Sequence, residues 1–238
     1  MYKGSVMEYL YCGNDNFEDF ASGRVLYSGK GIPNFPVRLL NEMYGRALSY
    51  LNKKKDLVVY DPCCGGGYAL TVLGFIHNSD IGQIYGSDID ESMIAHAKKN
   101  TNLLTASGLN SRRLEIERLH KEYGKQSHVE ALNSCDKLEG LLKHGICVDI
   151  FKADCTEALP RILPDIIITD VPYGNLVEWK GGRQISVDSM LEQLWLISHE
   201  KTVLAVCMDK KQKSNSEKWE RLEKHNIGKR RFEILRRN

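Results

Sequence analysis

The chain has 238 residues, with 33 Lys and Arg against 31 Asp and Glu for a formal net charge of +2, and seven cysteines. That length builds a buried core without disulfides or metals, and so small a net charge says nothing by itself about a nucleic-acid partner. No apolar run reaches the roughly 18 residues of a spanning helix, and no CxxC pair offers zinc-ligand spacing.

The opening MYKGSVMEYLYCGNDNFEDF is too acidic and polar for a signal peptide. A cytoplasmic protein with reduced thiols, no metal and no membrane partner is therefore expected. It reads as a single domain over residues 1–238, with residues 1–55 as an N-terminal extension. Within that extension GRVLYSGKGIPNFP is rich in turn residues. Asn34 is placed to cap a helix with Pro36 in its first turn. In that helix Val37, Leu40, Tyr44, Leu48 and Leu51 recur at helical spacing, giving one apolar face.

From there strands and helices alternate. Leu57–Tyr60 reads as a short buried strand, Tyr68–His77 as a helix, Gln83–Ser87 as a second strand and Glu91–Leu104 as a helix capped near Asp90. Residues 106–145 are too long for an ordinary connection and read as a helical insertion, with Leu114, Glu117 and Lys121 on one side. Cys147–Ala153, Asp165–Thr169 and Thr202–Cys207 are further strands. Asp188–Ile197 is a helix between the last two, and Phe232–Leu235 is a final strand. The alternation predicts an α/β fold, a mostly parallel Rossmann-like sheet with helices on both faces.

The sequence DPCCGGGYAL, Asp61 to Leu70, joins the first strand to its helix. Strand, glycine turn and helix form the nucleotide-cofactor entry of an open α/β sheet, where main-chain N–H groups meet the ligand. The expected acid about twenty residues on is Asp88, with Asp90 as the helix cap. Position 70 is Leu, which breaks the dinucleotide pattern, and no Lys-Ser or Lys-Thr follows the glycines as a phosphate-binding loop requires. Asp61 at the strand end repels a pyrophosphate but suits an ammonium and a sulfonium, which points to S-adenosylmethionine.

DPCCGGG resembles the first motif of class I S-adenosylmethionine-dependent methyltransferases, with Cys63 where the first glycine usually stands. TDVPYGNLVEW, after the strand at 165–169, resembles the (Asn/Asp)-Pro-Pro-Tyr signature of amino-methyltransferases, with Val171 replacing the first Pro. With FPVRL, SDID and the helical insertion, these motifs resemble the AviRa-type ribosomal RNA methyltransferases over most of the chain. Gly66 departs from the Ser expected there.

The resemblance implies a methyltransferase for a guanine ring nitrogen of 23S rRNA, linked to resistance to orthosomycin antibiotics. Carried over, Asp61, Cys63, Gly65, Gly67, Asp88, Ile89, Asp154, Cys155 and Asp170 hold the cofactor, with Asp154 near the adenine amine. Asp170 and Tyr173 are the catalytic residues: Asp170 and the Val171 carbonyl accept from the N–H edge of the base, Tyr173 stacks on it, and Pro172 stiffens the turn. Trp179, Lys180 and Arg183 either close over the RNA strand or form an ordinary polar loop with one packed Trp. Arg38 has no assigned role. Arg112, Arg113, Arg230 and Arg231 are weaker candidates for the RNA footprint; the last two equally suit outward positions on an edge strand. The partner is 23S rRNA or the large ribosomal subunit, met by a monomer. The DVPY turn also admits a DNA base, a protein amide or a small molecule, and a non-catalytic binding module is the alternative from another class.

Overall fold

Strands alternate with helices in the computed structural model, which describes residues 7–21, 23–29, 34–171, 187–212, 214 and 216–238. The strands are β1 (Leu57–Asp61), β2 (Ile81–Asp88), β3 (Cys147–Lys152), β4 (Ile166–Asp170), β5 (Val203–Asp209), β6 (Trp219–Ile227) and β7 (Arg230–Arg237). The helices are α1 (Val37–Ser49), α2 (Tyr68–Ile76), α3 (Glu91–Thr101), α4 (Ala106–Tyr123), α5 (Gln126–Glu139) and α6 (Val187–Ile197).

One sheet holds all seven strands in the order β3-β2-β1-β4-β5-β7-β6. β1 to β5 are parallel, and β7 runs antiparallel to both β5 and β6. Strands buried on both faces read as continuous apolar runs, as Ile166–Ile168 and Val203–Met208 do. One core cluster joins the sheet to α1 through α5; a second joins Tyr60, Ile167, Leu204, Val206 and Leu235 to α6. The expected mostly parallel sheet with helices on both faces is therefore present.

Several local readings are corrected. α1 begins after Pro36, which is its N-cap, and no side chain caps it, so Asn34 is not the cap. Its burial is broader than an apolar stripe, because Glu42 and Arg46 are buried too. Glu42 accepts the main-chain N–H groups of Leu10, Tyr11 and Cys12 at 2.9, 2.8 and 3.1 Å. Arg46 Nε donates to Glu42 at 2.7 Å and its Nη1 to Glu223 at 2.5 Å. This chain of paired charges straps the N-terminal segment and β6 onto α1; a buried charge is tolerable only when paired this way.

Residues 106–139 form two packed helices, α4 and α5, but their inward face carries Leu109, Arg112 and Ile116. Leu114 is 56% exposed. Arg112 is buried, donating to the carbonyls of Val25 and Arg24, and Arg113 pairs with Asp136 and Glu139. Arg112 ties α4 to the turn at 24–25 and Arg113 ties α4 to α5, so both are engaged within the fold and neither is free for an RNA footprint. β7 is an inner strand, so Arg230 and Arg231 are not edge-strand residues; the edge is β6.

Candidate active site

The strand order reverses between β1 and β4, which both sit beside each other but lead in opposite directions across the sheet. In open α/β sheets such a switch point leaves a crevice outside the carboxyl ends of the strands. Asp61 ends β1, Asp88 ends β2, Asp154 and Cys155 follow β3, and Asp170 ends β4. The residues expected to act together thus come from four adjacent strand ends.

The glycine turn is tied to β2. Cys64 N donates to the Ser87 carbonyl at 2.9 Å and Gly65 N to Asp88 Oδ2 at 2.9 Å. Gly65 and Gly67 take positive φ, +50° and +73°, which side chains rarely adopt. Their surroundings differ. A Cβ on Gly67 would stand 2.8 Å from the Ala97 Cα of α3, so this glycine serves helix packing. A Cβ on Gly65 meets no atom within 4 Å, so the main chain there borders open space.

Asp88 Oδ1 accepts from Asp90 N at 2.9 Å, while Asp90 caps α3 by accepting Ser92 N at 2.8 Å. Ile89, 38% exposed, presents an apolar side chain beside them. Asp154 closes a tight turn by accepting the Thr156 N–H at 2.9 Å. The Cys63 and Cys155 sulfurs lie 3.6 Å apart, so the loop after β3 abuts the glycine turn.

The carboxylates share one electrostatic environment. Burial pushes Asp61 up to about 7, helped by repulsion from Asp88 and Asp170 and opposed by the hydrogen bond from Cys63 N and by the nearby Thr169 hydroxyl. Burial also raises Asp88. Burial pushes Asp170 up to about 6, restrained by Arg230 and by the Cys207 thiol. Arg230 Nη2 lies 3.9 Å from Asp170 Oδ2, while Oδ1 is buried with no oxygen or nitrogen donor among the described residues. Three acids that resist ionising together favour a cationic ligand and disfavour a pyrophosphate.

Val171 is buried, and its N–H donates to the Cys207 carbonyl at 2.8 Å, fixing how the chain leaves β4. Pro172, Tyr173, Trp179, Lys180 and Arg183 lie outside the described residues. Arg38 stacks over Tyr9, 4.0 Å from its ring centre, and bonds Asn14 at 3.3 Å. Arg230 is the site residue that the sequence reading left undecided. Its signal was the turn Ile227-Gly228-Lys229, which closes a β6–β7 hairpin and so carries Arg230 back beside β5.

Residues 7–230 match the family described as rRNA methyltransferase AviRa. The chain belongs to this AviRa family. It is 39% identical over 172 residues to a 23S rRNA (guanine(2535)-N(1))-methyltransferase of Streptomyces viridochromogenes, covering 68% of this chain and 69% of that one. Two solved structures of rRNA methyltransferase aviRa from the same organism superpose with TM-scores of 0.85 and 0.83 at 33% and 34% identity, each covering 94% of both chains. TrmN from Thermus thermophilus, at 13% identity and a TM-score of 0.55 over 93% of this chain and 53% of that one, shares the fold alone. The AviRa family and the acidic crevice agree: the open main chain at Gly65 and the flanking acids fit a nucleoside cofactor that carries positive charge and no phosphate.

Proposed function

We propose that this chain transfers a methyl group from S-adenosylmethionine to the ring nitrogen N1 of a guanine in 23S rRNA. The carrying observation is Asp170 at the end of β4, with a buried oxygen that has no oxygen or nitrogen donor among the described residues, in a member of the AviRa family. In this reading the protein works as a monomer in the cytoplasm, as one methyltransferase domain extended over 1–55 and with an insertion over 106–145. Resistance to orthosomycin antibiotics belongs to the same proposal. No described helix is long and apolar enough to cross a membrane.

Bound S-adenosylmethionine supplies an electrophilic methyl carbon attached to a sulfonium. Asp61 and Asp88 balance the positive charge and accept from ammonium and hydroxyl groups. Asp88 already accepts two main-chain N–H groups, and a carboxylate has room for more. Asp154 accepts from the adenine amine, and Ile89, Cys63 and Cys155 supply the less polar wall. Guanine N1 must lose its proton to become a nucleophile. The Asp170 carboxylate accepts it, and Arg230 favours the ionised form that can do so. The Val171 carbonyl, Pro172 and Tyr173 orient and stack the base after it leaves its helix, and Trp179, Lys180 and Arg183 hold the strand outside.

Purified protein is to be incubated with tritiated cofactor and either naked 23S rRNA, large subunits or DNA. Label in rRNA, with one reverse-transcription stop at a guanine, is expected. Label confined to DNA, or absent from every rRNA form, would sink the reading.

The two glycines separate fold from ligand. Gly67→Ala combines left-handed strain with overpacking on α3 and is expected to lower stability by about 3 kcal/mol. Gly65→Ala is expected to lower it by only about 1 kcal/mol while weakening cofactor binding, because its methyl group enters open space. Thermal melting with and without S-adenosylhomocysteine distinguishes the two effects.

A further inference from the structure

Beside the acidic crevice the sheet carries the opposite charge. An open cavity of about 410 Å³ is lined by Lys210, Lys211, Ser214, Arg221, Lys224, Arg231 and Glu233. Five cations face one carboxylate. Glu233 is buried and already engaged, 3.0 Å from Arg231 Nε, 3.7 Å from Arg221 Nη1 and 2.7 Å from the Ser214 hydroxyl. The remaining cations are on the surface: Lys210, Lys211 and Lys224 are exposed and have no acidic partner among the described residues.

The cavity is built, not a chance cluster of side chains. Arg231 is buried and donates from Nη2 to the Gln212 carbonyl at 2.7 Å, which fixes the loop after β5. Lys211 N donates to Asp209 Oδ1 at 2.8 Å and Asp209 N to Gln212 Oε1 at 2.9 Å. The acids of β6 are engaged elsewhere. Glu223 is bonded to Arg46, Tyr50 and His225, and Glu220 to Arg236. Arg221 and Lys224 are thereby left to the cavity.

Its position relates it to the proposed chemistry. Asp170 is in register with Cys207 on β5, and the next residue of β5, Met208, with Arg231 on β7. At the usual strand spacing the main chain of Arg231 stands about 10 Å from that of Asp170. Lys210 N donates to the Lys229 carbonyl at 3.2 Å, and the next residue is Arg230, which faces Asp170. Successive strand residues point to opposite faces, so Arg230 turns to Asp170 and Arg231 to the cavity, which lies across the same end of the sheet from the proposed base.

We propose that this cavity holds the sugar–phosphate backbone of the substrate RNA beside the nucleotide being methylated, an inference that rests on the rRNA reading. Lysine ammonium groups neutralise phosphates without reading sequence, so the cavity sets affinity and register and leaves base choice to the crevice.

The test is the triple variant Lys210→Ala, Lys211→Ala, Lys224→Ala, which touches no proposed catalytic residue. Binding of a 23S rRNA fragment should weaken on the order of 10- to 100-fold at moderate salt, and the slope of log affinity against log salt should fall by about 2. The KM for RNA should rise, with kcat at saturating RNA, S-adenosylhomocysteine binding and melting temperature unchanged. Unchanged RNA affinity and salt slope in the folded variant overturn the proposal.

Should the variant not fold, lysine acetylation of wild-type protein decides. Protection of Lys210, Lys211 and Lys224 by the fragment supports the cavity; full reactivity in RNA-saturated protein overturns it. Wild-type protein that methylates rRNA while the variant binds RNA equally well removes the cavity and leaves the enzymatic reading. Wild-type protein that binds rRNA through these lysines yet transfers no methyl group removes the enzymatic reading and leaves the cavity.

Discussion

Asp170→Asn is expected to lower kcat by about two to four orders of magnitude, the range that one positioned general base contributes. Cofactor binding should survive, because Asn keeps the size and one acceptor oxygen. The reason is chemical: guanine N1 carries a proton that must leave, and Asn cannot take it. The pH profile gives an independent reading. Asp170 titrates near 6, raised by burial and held from rising further by Arg230. Below that value it is protonated and cannot act, so log(kcat/KM) should climb with pH and level off above about 6. Arg230→Gln removes the restraining charge and should move that limb to higher pH without abolishing transfer. A flat profile from pH 5 to 8 in the wild type, or an Asn variant within threefold of it, contradicts Asp170 as the base. An exocyclic amine as target would give that flat profile, since no proton need leave first.

Asp61→Asn should do two opposite things: weaken cofactor binding and strengthen the empty fold. The folded carboxyl titrates near 7 against an ordinary 3.8. Below pH 4 it is protonated in both the folded and unfolded chains, and its contribution to stability is fully present. As pH rises through about 7 the unfolded chain has already released its proton, while the folded chain must ionise a buried group beside Asp88 and Asp170. Stability from this site is lost on the way, by at most about 4 kcal/mol. Asn does not ionise, so the cofactor-free variant should melt above wild type at pH 8, by about 2–4 °C for each kcal/mol recovered, and show no gain at pH 4. Calorimetry at the two pH values, paired with titration of S-adenosylhomocysteine, checks both halves. A variant less stable than wild type at pH 8 would mean that Asp61 is held by partners rather than strained.

Much of this was readable from local order. Apolar runs of strand length, separated by helices of the right size, specify a parallel sheet, and DPCCGGG places a glycine turn after β1 because glycine readily takes the left-handed conformation found at 65 and 67. Asp61, Asp88 and Asp170 were legible because each ends a strand, and a parallel sheet delivers its strand ends to one edge. Charges were another matter. Arg112 reads as a surface residue and is buried under the turn at 24–25; Glu42 and Arg46 read as the polar face of α1 and lie inside. β6 shows little alternation, since its partners bury it unevenly, so the hairpin that turns Arg230 toward Asp170 is marked in the sequence by its glycine turn at Gly228 alone and not by strand periodicity. Burial of an apolar face is written into periodicity along a few residues. The partner of a charge arrives from a segment tens or hundreds of residues away, and only the folded topology determines which one it is.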